Sequence, residues 1–91
     1  MKDCLERDIK VGDYIVYPGH MGRSVQMRIA KVVDVSKWLK VAAVQIAWNR
    51  EYRPMTKLAL ISYSENCTIM PVRTIPKEAR DMIKDMIKRL T

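Results

Sequence analysis

The residues best suited to catalysis are one histidine and two cysteines. His20 lies in the glycine-containing stretch "YPGHMGR", and Cys67 begins a short apolar stretch much later in the chain. Nucleophilic catalysis needs a nucleophile, a base and an orienting group within hydrogen-bond distance of one another. A cysteine at the start of an apolar strand is usually a small buried hydrophobe. We therefore expect this protein not to be an enzyme.

The same residues do not indicate a metal or phosphate site. One histidine and two distant cysteines are too few ligands for tetrahedral zinc. The stretch "PGHMG" lacks the Lys-Ser/Thr pair of a phosphate-binding loop, and no helix pattern follows Gly22. A turn between two strands, with positive φ at Gly19 and Gly22, accounts for these glycines. We expect no cofactor, no metal and no small-molecule substrate.

Basic residues are concentrated in the middle of the chain. Between Arg23 and Lys57 there are eight basic and two acidic residues, so this segment carries six of the seven net positive charges. Two aromatic residues, Trp38 and Tyr52, lie among the cations. Cations neutralise phosphates, and exposed aromatic rings stack on bases. The predicted binding residues for nucleic acid or another partner are Arg23, Arg28, Lys31, Trp38, Lys40, Arg50, Tyr52 and Arg53.

Charge alone leaves other interpretations open. The same cations would suit an acidic protein surface, or would only keep the molecule in solution. The charged N-terminus lacks the apolar core of a signal peptide, and no apolar run approaches the length of a membrane span. Two cysteines are too few for a disulfide scaffold. We expect a cytoplasmic protein without a membrane partner.

Five strands and one helix are predicted to position these residues. Alternating polarity predicts strands over residues 13–17, 24–35 and 57–63, the second bent near Ala30. A nearly continuous apolar run predicts a third strand over residues 39–48, and a short strand over residues 67–70 follows a tight turn and ends at Pro71. From Pro76 the apolar spacing becomes that of one helix face, which predicts an amphipathic helix over residues 76–90. The predicted fold class is therefore mainly β (α+β). It consists of a five-stranded SH3-like antiparallel β-barrel over residues 11–71 with a C-terminal amphipathic helix. Both parts belong to one domain over residues 1–91. An OB-like barrel is the alternative.

The apolar face of the helix has two possible roles. It includes Met82 and Met86, which suit either the core of this chain or an interaction face for a partner, including a second copy.

The opening stretch "VGDYIVYPGHMGR" resembles the start of the CarD-type RNA-polymerase-interacting domain: a Gly-Asp, an apolar strand ending in Tyr-Pro, and a His-Gly turn. It is also similar to the Gly-Asp openings of KOW- and Tudor-like modules. Over residues 9–81, through "MRIAKVVDV" and "IPKEAR", the chain resembles small bacteriophage-encoded proteins of this barrel type. These resemblances imply an SH3-like barrel of phage origin.

Three functions follow as hypotheses. The first is a non-enzymatic binding module that holds nucleic acid, or a nucleic-acid-associated machine, through a basic barrel face. The second is a protein-interaction module that binds and inhibits or redirects a host protein, such as RNA polymerase or a defence enzyme. The third is a homo-oligomeric structural component, assembled through the helix. A phage-encoded protein would act in the host cytoplasm.

Overall fold

In the computed structural model, the described residues, 1–21, 24–47 and 49–90, form one antiparallel sheet of six strands and one α-helix. The side chains of residues 20, 21 and 24 are not among those described. The mainly β (α+β) class with a C-terminal helix is confirmed. The elements in chain order are β1 (Tyr14–Met21), β2 (Ser24–Asp34), β3 (Leu39–Ile46), β4 (Tyr52–Pro54), β5 (Ala59–Ile61), a 3-10 turn (Ser64–Asn66), β6 (Thr68–Met70), a second 3-10 turn (Val72–Thr74) and α1 (Lys77–Leu90).

The sheet has the strand order β4-β3-β2-β1-β6, with β5 added beside β4 on the outer edge of β3. β5 pairs with the first half of β3, from Leu39 to Val41, and β4 pairs with the second half, from Val44 to Ile46. Within the described residues β5 does not pair with β6, so the sheet stays open. The barrel predicted from the sequence is therefore wrong in its closure, because β5 is only three residues long and the chain then turns away into a 3-10 turn.

β1 runs further than the sequence predicts. The predicted turn at Pro18 is absent, and the strand continues to Met21, with Pro18 opposite Met27 and Gly19 opposite Gln26. Proline is tolerated here because β6 pairs only with residues 14–16 and leaves this part of β1 without a partner on its outer side. Among the described glycines positive φ occurs at Gly12 and not at Gly19; Gly22 lies outside the described residues.

Two other strand boundaries differ from the prediction. The irregularity in β2 falls between Val32 and Asp34, where the pairing with β3 shifts by one residue, rather than near Ala30. The segment expected to be a loop contains β4, and the strand predicted over residues 57–63 is reduced to β5. Both short strands are defined by pairing with β3 rather than by their own sequence pattern.

The helix packs against one face of the sheet, here called the helix-covered face. Pro76 precedes the first turn of α1, and the predicted helix is confirmed to within one residue. Ile83 and Met86 are fully buried and belong to one apolar cluster with Ile29, Ala42 and Val44. Met86 is therefore a core residue of this chain and not part of an exposed interaction face, whereas Met82 is half-buried at the edge of the same cluster.

The opposite, inner face of the sheet is covered by other parts of the chain. Its cluster contains alternate residues of β1, β2 and β3, together with Ile9 and Cys67 from outside those strands. Residues 62–67 lead from β5 at one side of the sheet to β6 at the other. Ala42 and Ala43 of β3 are both fully buried, one on each face, as the continuous apolar run of this strand indicates.

The first residues of the chain cover the free edge of β6. The Cys4 backbone N–H donates to the Cys67 carbonyl at 2.7 Å. The Ile69 N–H donates to Oδ2 of Asp3 at 3.0 Å, and Nη2 of Arg7 donates to the Ile69 carbonyl at 2.8 Å. Backbone and side-chain groups of the N-terminal segment thus bind the outward-facing polar groups that a further strand would otherwise use.

Candidate functional site

The predicted basic residues divide between the two faces of the sheet. Arg28 and Lys31 both lie on β2, and because side chains alternate along a strand their odd separation places them on opposite faces. Lys31 lies opposite Ala42, so Lys40, two residues from Ala42 along β3, shares the helix-covered face with Lys31. Arg53 and Arg28 both lie opposite Gln45 and share the inner face.

The predicted binding residues Trp38 and Arg50 lie at opposite ends of β3. Trp38 is half exposed in the turn before β3, whereas Arg50 is exposed in the loop that follows β3, where its φ is 67°. The eight residues of β3 span about 26 Å between these two ends. Tyr52 is half-buried and packs against the cluster under α1. Arg23 lies outside the described residues.

Four cations converge where one flank of α1 comes close to Tyr14 of β1 and Lys31 of β2. Lys77, Arg80 and Lys84 follow one another at helical spacings of three and four residues, which places them on one flank of the helix. That flank turns toward Lys31 of β2. Together they border a groove of about 430 Å³, here called the basic groove, which is lined by Tyr14, Lys31, Val72, Lys77, Arg80, Asp81 and Lys84.

The aromatic ring of Tyr14 forms part of the groove wall between these charges. Nζ of Lys31 lies 5.6 Å from the centre of the Tyr14 ring, within cation–π distance. Burial raises the pKa of the Tyr14 hydroxyl, and the positive charge of Arg80 partly offsets this. Nε of Arg80 is buried and has no hydrogen-bond partner among the described residues. The groove therefore holds cations that the described chain leaves available to an anion.

Asp81 is the one acidic residue in the groove lining, against four basic residues. Such an excess attracts phosphate or carboxylate groups, and each unpaired N–H donor can bind an anionic oxygen. Of the residues predicted from the sequence, only Lys31 lines this groove. The other three cations lie on the helix, where the sequence analysis considered only the apolar face; their spacing along one flank was the signal that could have revealed them.

A second group of polar side chains crosses the inner face. Tyr17, Arg28, Gln45 and Arg53 lie directly opposite one another on β1, β2, β3 and β4. Nε of Arg28 donates to Oε1 of Gln45 at 3.3 Å. This row brings together Arg28 and Arg53 from the predicted set, but Arg53 is exposed at the sheet edge whereas Arg28 is half-buried.

Other chemistry receives no support from the described residues. No three histidine, cysteine, aspartate or glutamate side chains gather there into a possible metal site. The His20 side chain, the candidate base, lies outside the described part of the chain. In the described chain, no helix is both long and apolar enough to cross a membrane.

Residues 1–84 match the family described as a domain of unknown function, DUF7205. The match covers both faces of the sheet, the basic groove and the first half of α1. No curated protein and no solved structure matches the chain. By this match the chain is a member of the DUF7205 family.

Proposed function

We propose that this protein is a non-enzymatic module that binds nucleic acid through the basic groove. The observation that supports the proposal is the convergence of Lys31, Lys77, Arg80 and Lys84 with a single acidic neighbour. Cations on one surface neutralise the phosphate backbone without regard to sequence, and release of counterions makes such binding strongly dependent on salt. The two free cysteines are compatible with action in a reducing cytoplasm.

The geometry favours contacts with phosphates over base-specific contacts. The basic groove has long, flexible lysines at its rim, with Lys77 and Lys84 exposed, and its aromatic residue Tyr14 is half-buried. Lysine acts as a point charge toward phosphate and does not require a planar partner. We therefore expect similar affinities for nucleic acids of different sequence.

The proposal is tested by measuring the binding of fluorescently labelled duplex and single-stranded DNA over a series of salt concentrations. The double variant Lys77→Ala/Lys84→Ala removes two exposed cations from the basic groove. We expect the slope of log affinity against log salt to become shallower by about 2 for duplex DNA, since each phosphate contact contributes about 0.9.

The matched control is Arg50→Ala/Arg53→Ala, which removes two exposed cations from the other end of the sheet. It should leave the salt slope nearly unchanged. If the control variant changed the salt slope by as much or more, the DNA-binding site would lie outside the basic groove. A wild-type protein that binds neither DNA at low salt, or binds it independently of salt, would contradict the nucleic-acid proposal as a whole.

A further inference from the structure

The inner face contains a cavity that is separate from the basic groove. Its volume is about 330 Å³, within the range of pockets that hold small ligands. One wall is formed by Tyr17, Pro18, Gly19 and Arg28, which belong to β1 and β2. The other wall is formed by the segment that leads from β5 to β6, through residues 60–63 and 66–67. The lining therefore combines apolar and aromatic groups with two neutral polar residues, Ser62 and Asn66, and one positively charged side chain.

Arg28 carries the charge in this cavity. It is half-buried, and in the described part of the chain no carboxylate forms an ion pair with it. Its Nε donates to Gln45, a neutral acceptor. A guanidinium has five N–H donors in a planar fork, which matches the two oxygens of a carboxylate. The cavity thus contains a cation whose charge the described chain does not compensate.

Tyr17 supplies a second donor beside Arg28. The side chain is 5% exposed, and its buried hydroxyl has no acceptor for its proton among the described residues, since the neighbouring Arg28 can only donate to it. Burial raises the pKa of this hydroxyl, and the neighbouring Arg28 only partly offsets the effect, so the phenol stays protonated at neutral pH. A buried hydroxyl without an acceptor is unfavourable by about 1–3 kcal/mol. An anionic oxygen in the cavity would remove that deficit.

Gly19 makes the position of Arg28 possible. The Arg28 side chain crosses Gly19, and a Cβ added there would lie 2.2 Å from Nε and 2.5 Å from Cζ of Arg28. The φ of Gly19 is not in the left-handed region, so backbone conformation does not call for glycine here. A larger residue would instead displace the Arg28 side chain that lies across this position. Gly19, which the sequence analysis assigns to a turn, instead leaves the space that the Arg28 side chain occupies in the cavity.

We propose that the inner-face cavity binds a carboxylate group carried on an apolar body, with Arg28 and Tyr17 as the donors. One cation matches the single charge of a carboxylate, whereas a phosphate monoester carries up to two charges and the described lining contains no second cation. Ile61, which packs against the inner cluster, and Tyr63 would contact the apolar body. The carboxylate could belong to a small organic acid or to the C-terminus of a peptide.

The experiment is a titration of isotope-labelled protein observed by NMR at the Gly19 amide and the Arg28 Nε–H. The probes are benzoate and its neutral analogue benzamide, and the dipeptide acetyl-Leu-Leu as the free acid and as the C-terminal amide. We expect saturable shifts with at least one acid, and affinity at least about tenfold lower for its neutral analogue, because a charged hydrogen bond is lost. Tighter binding of the dipeptide acid than of benzoate identifies a peptide C-terminus, and the reverse identifies a small acid.

Three variants locate the binding. Arg28→Gln should lower affinity by about tenfold or more, and Gly19→Ala should do the same by displacing Arg28 while the remaining spectrum stays folded. Arg53→Gln removes the same charge from the same row, outside the cavity, and should leave affinity unchanged. Equal binding of acids and amides, an unaffected Arg28→Gln variant, or no saturable shift with either acid at millimolar concentrations would overturn the proposal. The cavity and the basic groove lie on opposite faces, so the two proposals can fail separately.

Discussion

Asp3 connects the N-terminal segment to β6 through one buried carboxylate. Oδ1 accepts hydrogen bonds from the backbone N–H groups of Leu5 and Arg7, and Oδ2 accepts from the Ile69 N–H and from the Arg7 guanidinium. Burial alone would raise the pKa of this carboxyl, but the Ile69 and Arg7 donors together hold it well below its usual value of 3.8. The hydrogen bonds of the folded state therefore favour the ionised form of Asp3.

Acid should destabilise the protein through Asp3. A carboxyl with a lowered pKa in the folded state stabilises the fold above the pKa of the unfolded chain, and that contribution is lost as pH falls below about 4. Asp3→Asn removes the charge, so the variant should be less stable at pH 7 and should lose less stability between pH 4 and pH 2. Urea unfolding followed across this pH range measures both effects.

Asp8→Asn is the matched control in the same segment. Hydrogen bonding to Lys2 lowers the pKa of Asp8, but both side chains of this pair are exposed, and exposed ion pairs contribute little. The control should resemble wild type at pH 7. If Asp8→Asn and Asp3→Asn lowered the stability at pH 7 equally, the buried carboxylate of Asp3 would have no special role in stabilising the fold.

The two thiols should differ in reactivity. Cys67 is fully buried, and burial, followed by the influence of nearby acidic groups, raises its pKa to about 11. Because the thiolate is the nucleophile, Cys67 should resist iodoacetamide at pH 8 while the exposed Cys4 reacts. Mass spectrometry should show one label on the native protein and two in urea. A native Cys4→Ser protein that labels rapidly would show that Cys67 is accessible.

At the level of elements, α1 is held by a narrow apolar stripe on the sheet. Ala79, Ile83 and Met86 are fully buried, whereas Leu90 on the last turn is 38% exposed. Met86→Ala should lower the free energy of unfolding by about 2–5 kcal/mol, since it removes a packed side chain and leaves a cavity. Leu90→Ala should cost about 1 kcal/mol or less. Similar losses in urea unfolding for both variants would show that the helix is not docked through Met86.

The helix could be predicted from sequence because its signal is local and long. Apolar residues at helical spacing extend from Ala79 to Leu90, and Pro76 marks the start. β4 carries no such signal: the three residues Tyr52–Pro54 are a strand because they pair with the end of β3. The predicted end of β1 before Pro18 is wrong for the same reason: β6, whose pairing would exclude a proline, reaches only as far as Val16.

The candidate sites depend even more on tertiary placement. The distribution of charge along the chain predicts both Lys31 and Arg28 as binding residues. Because side chains alternate along β2, however, the two residues lie on opposite faces of the sheet. The partners of Lys31 in the basic groove come from α1, and they reach it only after the helix docks. The role of Gly19 depends on Arg28 crossing from the neighbouring strand, a contact that has no signature in the sequence.

For the whole molecule, β3 contributes residues to both apolar clusters, so we expect the two clusters to unfold as one cooperative unit. Val41 and Ala43 belong to the inner cluster, whereas Ala42 and Val44 belong to the cluster under α1. A change on either face should therefore destabilise both. Val41→Ala should reduce amide exchange protection in α1 and in β1 by the same free energy, measured by hydrogen exchange. Loss of protection in β1 alone would show that the helix side folds independently.

The covering of the β6 edge by Asp3 and Arg7 has a consequence for biosynthesis. These two residues leave the ribosome long before Ile69, so the groups that occupy the outer edge of β6 are already present when that strand is made. An uncovered edge can pair with a strand of a neighbouring nascent chain, and partly folded chains are most exposed to such pairing. The order of synthesis therefore shortens the time during which β6 could join the wrong polypeptide.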